Sequence, residues 1–341
     1  MNKFLLYWKK FGMFALLAVL IAAFSLASPD RFFSSTTFFN ILKQASVIGV
    51  LSCGVTLLLI MGEIDISIGA RVAFTTIICG KLLNAGVPVW IVVLVGVAIG
   101  ALTGALNSFL AQVLRTYVFV VSMAAMYMWT GVCYLINGAV TLYGFPQSFQ
   151  NISQSMIFGK IPSIILIFTV CAIVSGFILA KTYFGRHIYA IGGNREAAYL
   201  AGIDVKKNTL LTHMLAGAFI GLAAIILMSR TMTAQSGTGG SYAFDCITAC
   251  VLGGVLLGGG HGKMYQAMLG VLVLNVLFNG LTLIGVNDYW QTVIKGLILI
   301  MAIGIEALQR HAKVDFSDDG GGDIDKPETA GELQAQAEAS A

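Results

Sequence analysis

The chain has 341 residues, 57% of them hydrophobic and only 11% charged, with a formal net charge of +4 and a mean hydropathy of +0.86. A soluble domain carries about 25% charged residues, so the composition excludes one and describes an all-helical integral membrane protein. Its basic residues form no accessible polar stripe, which excludes nucleic acid as a partner.

Windows of about 20 apolar residues predict ten transmembrane helices, near 11–28, 44–62, 67–84, 89–114, 117–136, 162–181, 210–229, 243–259, 265–285 and 290–308. The first follows Lys3, Lys9 and Lys10 and ends near Ser25-Leu-Ala-Ser28, so a cleaved signal peptide is its rival reading. Between the second and third windows lies Gly62-Glu-Ile-Asp-Ile-Ser-Ile-Gly69. A carboxylate at membrane depth costs about 2.5–3.5 kcal/mol on insertion scales, and positions i and i+2 do not share a helix face. The spacing therefore predicts a broken segment bracketed by Gly62 and Gly69. Glu63, Asp65 and Ser67 then either line a polar pathway or form an ordinary turn on the inner side. The fourth window contains Asn107 and Gln112.

The stretch 137–161 is the longest outer loop and reads as an ordered cap over an entrance; its Asn151-Ile152-Ser153 acceptor pattern is discounted as a chance match. The loop 182–209 is the longest charged one. Within it Asn194 can cap a short helix from Arg195 to Ala201, and Gly202 suits a left-handed stop before Ile203. A two-turn helix is marginal alone, so Arg195, Glu196, Ala197 and Ala198 are expected to dock on a soluble partner.

Further on, Gly253-Gly-Val-Leu-Leu-Gly-Gly-Gly-His-Gly-Lys263 invites a phosphate-loop reading. It lacks the required Gly and Ser/Thr, since Leu257 and Met264 stand there. Close helix packing and a turn explain the glycines, and ATP hydrolysis has to come from another protein. Asp245, Asn275 and Asn279 are polar residues inside spans. The i, i+4 pair Asn275 and Asn279 shares a face, for interhelical hydrogen bonds or for a pathway. Lys295 lies near the outer end of the last window and can snorkel. The six cysteines fall in apolar stretches without ligand spacing and read as small core residues. No cofactor, metal or catalytic residue is expected.

Lysines and arginines number twelve on one set of loops and five on the other, with Arg71 and Lys295 inside spans and uncounted. That bias places both termini in the cytoplasm. Residues 1–313 then form one transmembrane domain, and 314–341, with eight acids against Lys326 and the run Gly320-Gly-Gly322, reads as a disordered acidic tail. Ten spans divide into five and five, an arrangement in which the halves are inverted. Gly49-Val-Leu-Ser-Cys-Gly54 and Cys250-Val-Leu-Gly-Gly254 give it faint support.

Over about residues 30–310 the chain resembles the permease subunits of bacterial ATP-binding-cassette importers for ribose and similar simple sugars, within the branched-chain amino acid/sugar permease superfamily. Gly62 through Gly69 is similar to that family's Gly-(Gly/Glu)-Ile-Asp-Leu-Ser-Val-Gly element. Gly185 through Ile203 is similar to its coupling loop, which contacts the ATPase. Phe244-Asp245…Val251-Leu-Gly-Gly254…Gly259-Gly-His-Gly262 and Asn279-Gly-Leu…Gly285…Trp290-Gln…Lys295-Gly296 are similar to two further elements. Val118-Phe-Val-Val-Ser-Met-Ala-Ala125 departs from the usual Pro-x-Phe-Ile-x-Thr-Leu-Gly, and His261 and Lys263 replace an Arg and a small residue.

The resemblance implies a multi-pass subunit of the bacterial inner membrane, surrounded by lipid and paired with a second permease copy. A cytosolic ABC ATPase would drive it by alternating access, and a periplasmic sugar-binding protein would deliver a monosaccharide. A permease for branched-chain amino acids or nucleosides, an ion-coupled carrier in which Glu63 and Asp65 titrate, and a passive channel are the competing readings.

Overall fold

The computed structural model describes residues 3–157, 159 and 161–318. The chain divides into two units, Met1–Leu299 and Ile300–Ala341. The described part of the second is the helix running to Asp318, and tail residues 319–341 lie outside the described residues.

The elements in order are α1 (Lys3–Ala27), α2 (Pro29–Phe32), α3 (Ser35–Met61), α4 (Ile68–Asn84), α5 (Val89–Val113), α6 (Val118–Asn137) and α7 (Gln147–Gln154). A two-stranded antiparallel hairpin follows, β1 (Met156–Ile157) with β2 (Ile161–Pro162). Then come α8 (Ser163–Lys181), α9 (Tyr183–Gly193), α10 (Arg195–Leu200), α11 (Val205–Thr231), α12 (Tyr242–Gly253), α13 (Met264–Leu283) and α14 (Asp288–Asp318).

Six of these, α3, α5, α6, α8, α11 and α13, are long and apolar enough to cross a membrane. The architecture is that of an all-helical integral membrane protein. The predicted window 243–259 gives only a half-length helix, because α12 stops at Gly253 and Gly254 turns left-handed at φ 100°. Hydropathy ran on through Val255, Leu256 and Leu257, where the backbone no longer follows a helix. Within the loop 182–209 the stretch before Asn194 forms a helix of its own, α9, capped by Thr182 Oγ1 accepting from the Gly185 amide at 3.0 Å.

The core is built around α3, which is buried over nearly its whole length. Lipid tails are as apolar as leucine, so helices in a membrane associate by close packing of small residues. α3 supplies Ala45, Ser46, Ser52, Cys53 and Gly54, all buried, and a side chain at Gly54 would approach the Ala216 carbonyl of α11 at 2.8 Å. The tightest seam joins α5 to α11. Gly96, Gly100 and Gly104 lie one turn apart and face Gly217 and Gly221, so that a methyl group at Gly100, Gly104, Gly217 or Gly221 would overlap a carbonyl of the opposite helix. The six cysteines are all buried and free, as expected of core residues. On the outward faces of α5, α6 and α8, Leu94, Phe109, Tyr127 and Phe177 stay exposed.

The stretch before β1 packs on α11. Ser153 and Ser229 hydroxyls lie 2.8 Å apart, Ser229 Oγ donates to the Phe149 carbonyl at 2.6 Å, and Phe149 packs edge-on against Phe145. These contacts hold α7 on α11.

Candidate functional site

The break between α3 and α4 follows from two local devices. Gly62, at φ 81°, terminates α3 with its amide on Leu59 O, while the Glu63 amide reaches Leu58 O. Asp65 Oδ1 then accepts from both the Ser67 amide (2.8 Å) and the Ser67 hydroxyl (2.6 Å), and α4 starts at Ile68. Helix resumes one residue earlier than the predicted bracket at Gly69. That glycine sits in the first turn of α4, where any side chain would overlap the Gly239 carbonyl.

Asp65 is fully enclosed, and its charge is matched. Arg71 Nη1 donates to Asp65 Oδ2 at 2.7 Å, Arg71 Nε to Thr103 Oγ1 at 2.9 Å, and Arg71 Nη2 to the Gly100 carbonyl at 2.8 Å. Asn107 Nδ2 donates to Ser67 Oγ (2.9 Å), and the Ile66 amide donates to Ser122 Oγ of α6 (3.1 Å). Buried charges persist when paired and hydrogen-bonded, as Asp65 and Arg71 are; their bonds tie α4 to α5 and the break to α6, while Asn107 Oδ1 beside them has no partner among the described residues. Asp65 and Ser67 of the predicted break and Asn107 of the fourth window are therefore one cluster. The sequence reading left Arg71 aside as a residue inside a span, and it proves to be the centre of the group. His213 of α11 is buried close by, with neither ring nitrogen hydrogen-bonded among the described residues. An ionisable side chain inside a span was the signal that could have singled it out.

Glu63 faces the other way. Its Oε1 accepts from Arg195 Nη1 at 2.7 Å, a contact between residues 132 apart in sequence that joins the break to α10. α10 has the predicted form: Asn194 Oδ1 accepts from the Ala197 amide at 2.9 Å, Ala198 is buried, and Gly202 sits at φ 84° with Ile203 N on Ala198 O. Tyr199 and Leu200 project outward, 70% and 79% exposed, although both are large and apolar. Together with Arg195, Glu196 and Gly202 they line a shallow concave surface. Asn194→Ala is expected to fray α10 by about 1 kcal/mol, the usual worth of an N-cap, seen as faster amide exchange at Ala197.

Behind α10 two glycine turns and a helical glycine meet at the end of α3. The Gly260 amide donates to the Ile60 carbonyl at 2.8 Å, and Gly192 of α9 packs so closely on that carbonyl that a methyl group would overlap it. A methyl group at Gly259 would stand 2.7 Å from Gly192 O and 2.9 Å from the Gly62 Cα. Tyr189 Oη donates to the Gly262 carbonyl at 2.7 Å, and burial raises its phenol above the ordinary value, which keeps it a donor. The Gly253–Lys263 cluster is thus a packing turn, as its failed phosphate-loop spacing implied.

The remaining polar candidates lie at the opposite end of α3. Asp245 Oδ1 meets Lys295 Nζ at 2.9 Å, and that ammonium also lies 4.9 Å from the Phe278 ring centre. Asn279 Nδ2 donates to Gln44 Oε1 at 2.8 Å. Asp245 and Asn275 border a common cavity of about 440 Å³. The seven predicted path residues therefore form two groups. Gln44 and Gly62 mark their separation, about 27 Å at 1.5 Å rise per residue.

A family model described as "Branched-chain amino acid transport system / permease component" matches residues 37–303. The chain is 30% identical to the D-allose transport system permease protein AlsC of Escherichia coli K12, covering 89% of this chain and 94% of that protein. It is 33% identical to the galactose/methyl galactoside import permease protein MglC of the same strain (92% and 98%). It is also 33% identical to the ribose import permease protein RbsC of Bacillus subtilis 168 (86% and 92%). No solved structure matches.

Proposed function

The chain belongs to the branched-chain amino acid transport system / permease component family, and from that premise we propose that it is the membrane subunit of an ATP-driven importer for a monosaccharide. It is a transport subunit and not an enzyme. Relatives named for allose, galactose and ribose, each matched along nearly its whole length, support the substrate class. The cytosolic ATPase docks on α10, a periplasmic sugar-binding protein delivers the solute, and a second permease copy completes the path. The protein sits in the bacterial inner membrane with both termini inside, and its ten hydrophobic segments form two inverted sets of five. Residues 314–341 act as a solubilising acidic tail.

The observation that carries this reading is the tie between the exposed α10 and the break, formed by Glu63–Arg195 and the Gly62–Gly192–Gly259 contact. An ATPase that shifts α10 thereby pulls on the α3–α4 break and the helices strapped to it. Asp65, held by Arg71 and fully hydrogen-bonded, is poorly suited to pick up and release protons, which counts against the ion-coupled alternative.

Charge reversal tests the tie. Glu63→Arg and Arg195→Glu are each expected to lower ATP-dependent sugar uptake roughly fivefold, the effect of about 1 kcal/mol at a half-exposed pair. The double reversal should recover most of that loss. Single variants that insert normally and transport at the wild-type rate would exclude this route of coupling.

A further inference from the structure

The cavity of about 440 Å³ at the far end of α3 lies in the lower half of the usual range for small-molecule sites, roughly 300–1,000 Å³. Five helices wall it: α3, α11, α12, α13 and α14. Internal bonds use up only part of the hydrogen-bonding capacity of its polar walls. Asn275 spends its amide N–H on the Val271 carbonyl and keeps Oδ1. Gln44 spends Oε1 on Asn279 and keeps Nε2. Gln291 spends Nε2 on Thr282, Val286 and Asp288 and keeps Oε1. Tyr242 also borders the space. Donors and acceptors of this kind, side by side, match groups that both give and take a hydrogen bond, as the hydroxyls of a polyol do.

The charges are not balanced. Lys295 is neutralised by Asp245 at 2.9 Å, but no carboxylate among the described residues pairs with the half-buried Arg230 guanidinium, which borders the same space. One uncompensated positive charge in a partly enclosed cavity repels cations and attracts anions.

We infer that this cavity is a solute site for neutral or anionic polyhydroxylated molecules, and that Arg230 bars cationic ones. The site deepens the transport reading and rests on it. The ion pair Asp245–Lys295 links α12 to α14 across the wall, so filling the site and moving these two helices are mechanically connected.

Thr231 also lines the cavity and is exposed, with its hydroxyl bonded only to nearby carbonyls, and all six native thiols are buried. The full-length Thr231→Cys protein in proteoliposomes can therefore be labelled with anionic and cationic methanethiosulfonates. Relative to a free thiol, the anionic reagent should be favoured over the cationic one about thirtyfold, from roughly 1 kcal/mol of attraction for the one and of repulsion for the other at contact distance in water. Adding Arg230→Gln should erase that preference, whereas Arg230→Lys should keep it. D-galactose, D-allose or D-ribose at high millimolar concentration should slow labelling of Thr231→Cys alone, and D-galactosamine should protect less than D-galactose. Failure of every neutral sugar to protect overturns the site, and equal protection by galactosamine overturns the role of Arg230. Labelling needs neither ATPase nor binding protein, so these failures are separable from a failure of coupled uptake.

Discussion

Replacing Arg71 with methionine is expected to destabilise the protein by about 3–5 kcal/mol, the usual consequence of stranding one partner of a buried ion pair. Asp65 would keep its bonds from Ser67 and Asn107 but lose the one cation paired with it among the described residues. Thr103 and the Gly100 carbonyl would each lose the bond from Arg71 in the same step. A typical domain has 5–15 kcal/mol in total, so the purified variant should show a clear fall in thermal midpoint and in folded yield. The double variant Asp65→Asn, Arg71→Met removes both charges and should recover much of the loss, because neutral groups of similar size are far cheaper to bury. If the single variant melts with the wild type, Arg71 does not neutralise Asp65, and the break must be held by something else.

Gly192→Ala should nearly abolish transport, while Gly193→Ala, one residue along the same helix, should leave it unchanged. At Gly192 the added methyl group overlaps the Ile60 carbonyl and comes within 2.7 Å of the Gly260 amide, and at Gly193 it meets nothing within 4 Å. The obstructing atoms are backbone, which cannot rotate aside as a side chain would. Overpacking of this kind costs about 1–3 kcal/mol, and when it falls on the connection between α9 and α3 it corresponds to a fall in coupled rate of about fivefold to 150-fold. Uptake and ATPase activity measured together distinguish the outcomes, since a disconnected complex hydrolyses ATP without moving sugar. Equal uptake by the two alanine variants would show that the junction transmits nothing.

What could be read before folding was whatever the chain decides locally. The cap Asn194 and the stop Gly202 lie within a few residues of the bonds they make, so α10 was legible almost to the residue. The α3–α4 break was legible because carboxylates and glycine interrupt an apolar run. Hydropathy found the long helices, but it overran the end of α12 because Val255–Leu257 stays apolar where Gly254 has already turned the backbone. The partners of Glu63, Asp65 and Asp245 were out of reach. Arg195 and Lys295 come from distant segments, and Arg71 looked like a misplaced charge until Thr103 and Gly100 were seen beside it. His213 was passed over because no second histidine accompanies it in sequence.

The α5–α11 seam limits where movement can occur. Backbones pressed together through Gly96, Gly100 and Gly104 against Gly217 and Gly221 leave no slack for one helix to slide past the other, and Arg71 clamps the assembly from α4. In the importer proposed above these two helices are therefore the stator, and the parts that open and close the path are hinged around them, so paired spin labels on α5 and α11 should keep one separation through the transport cycle.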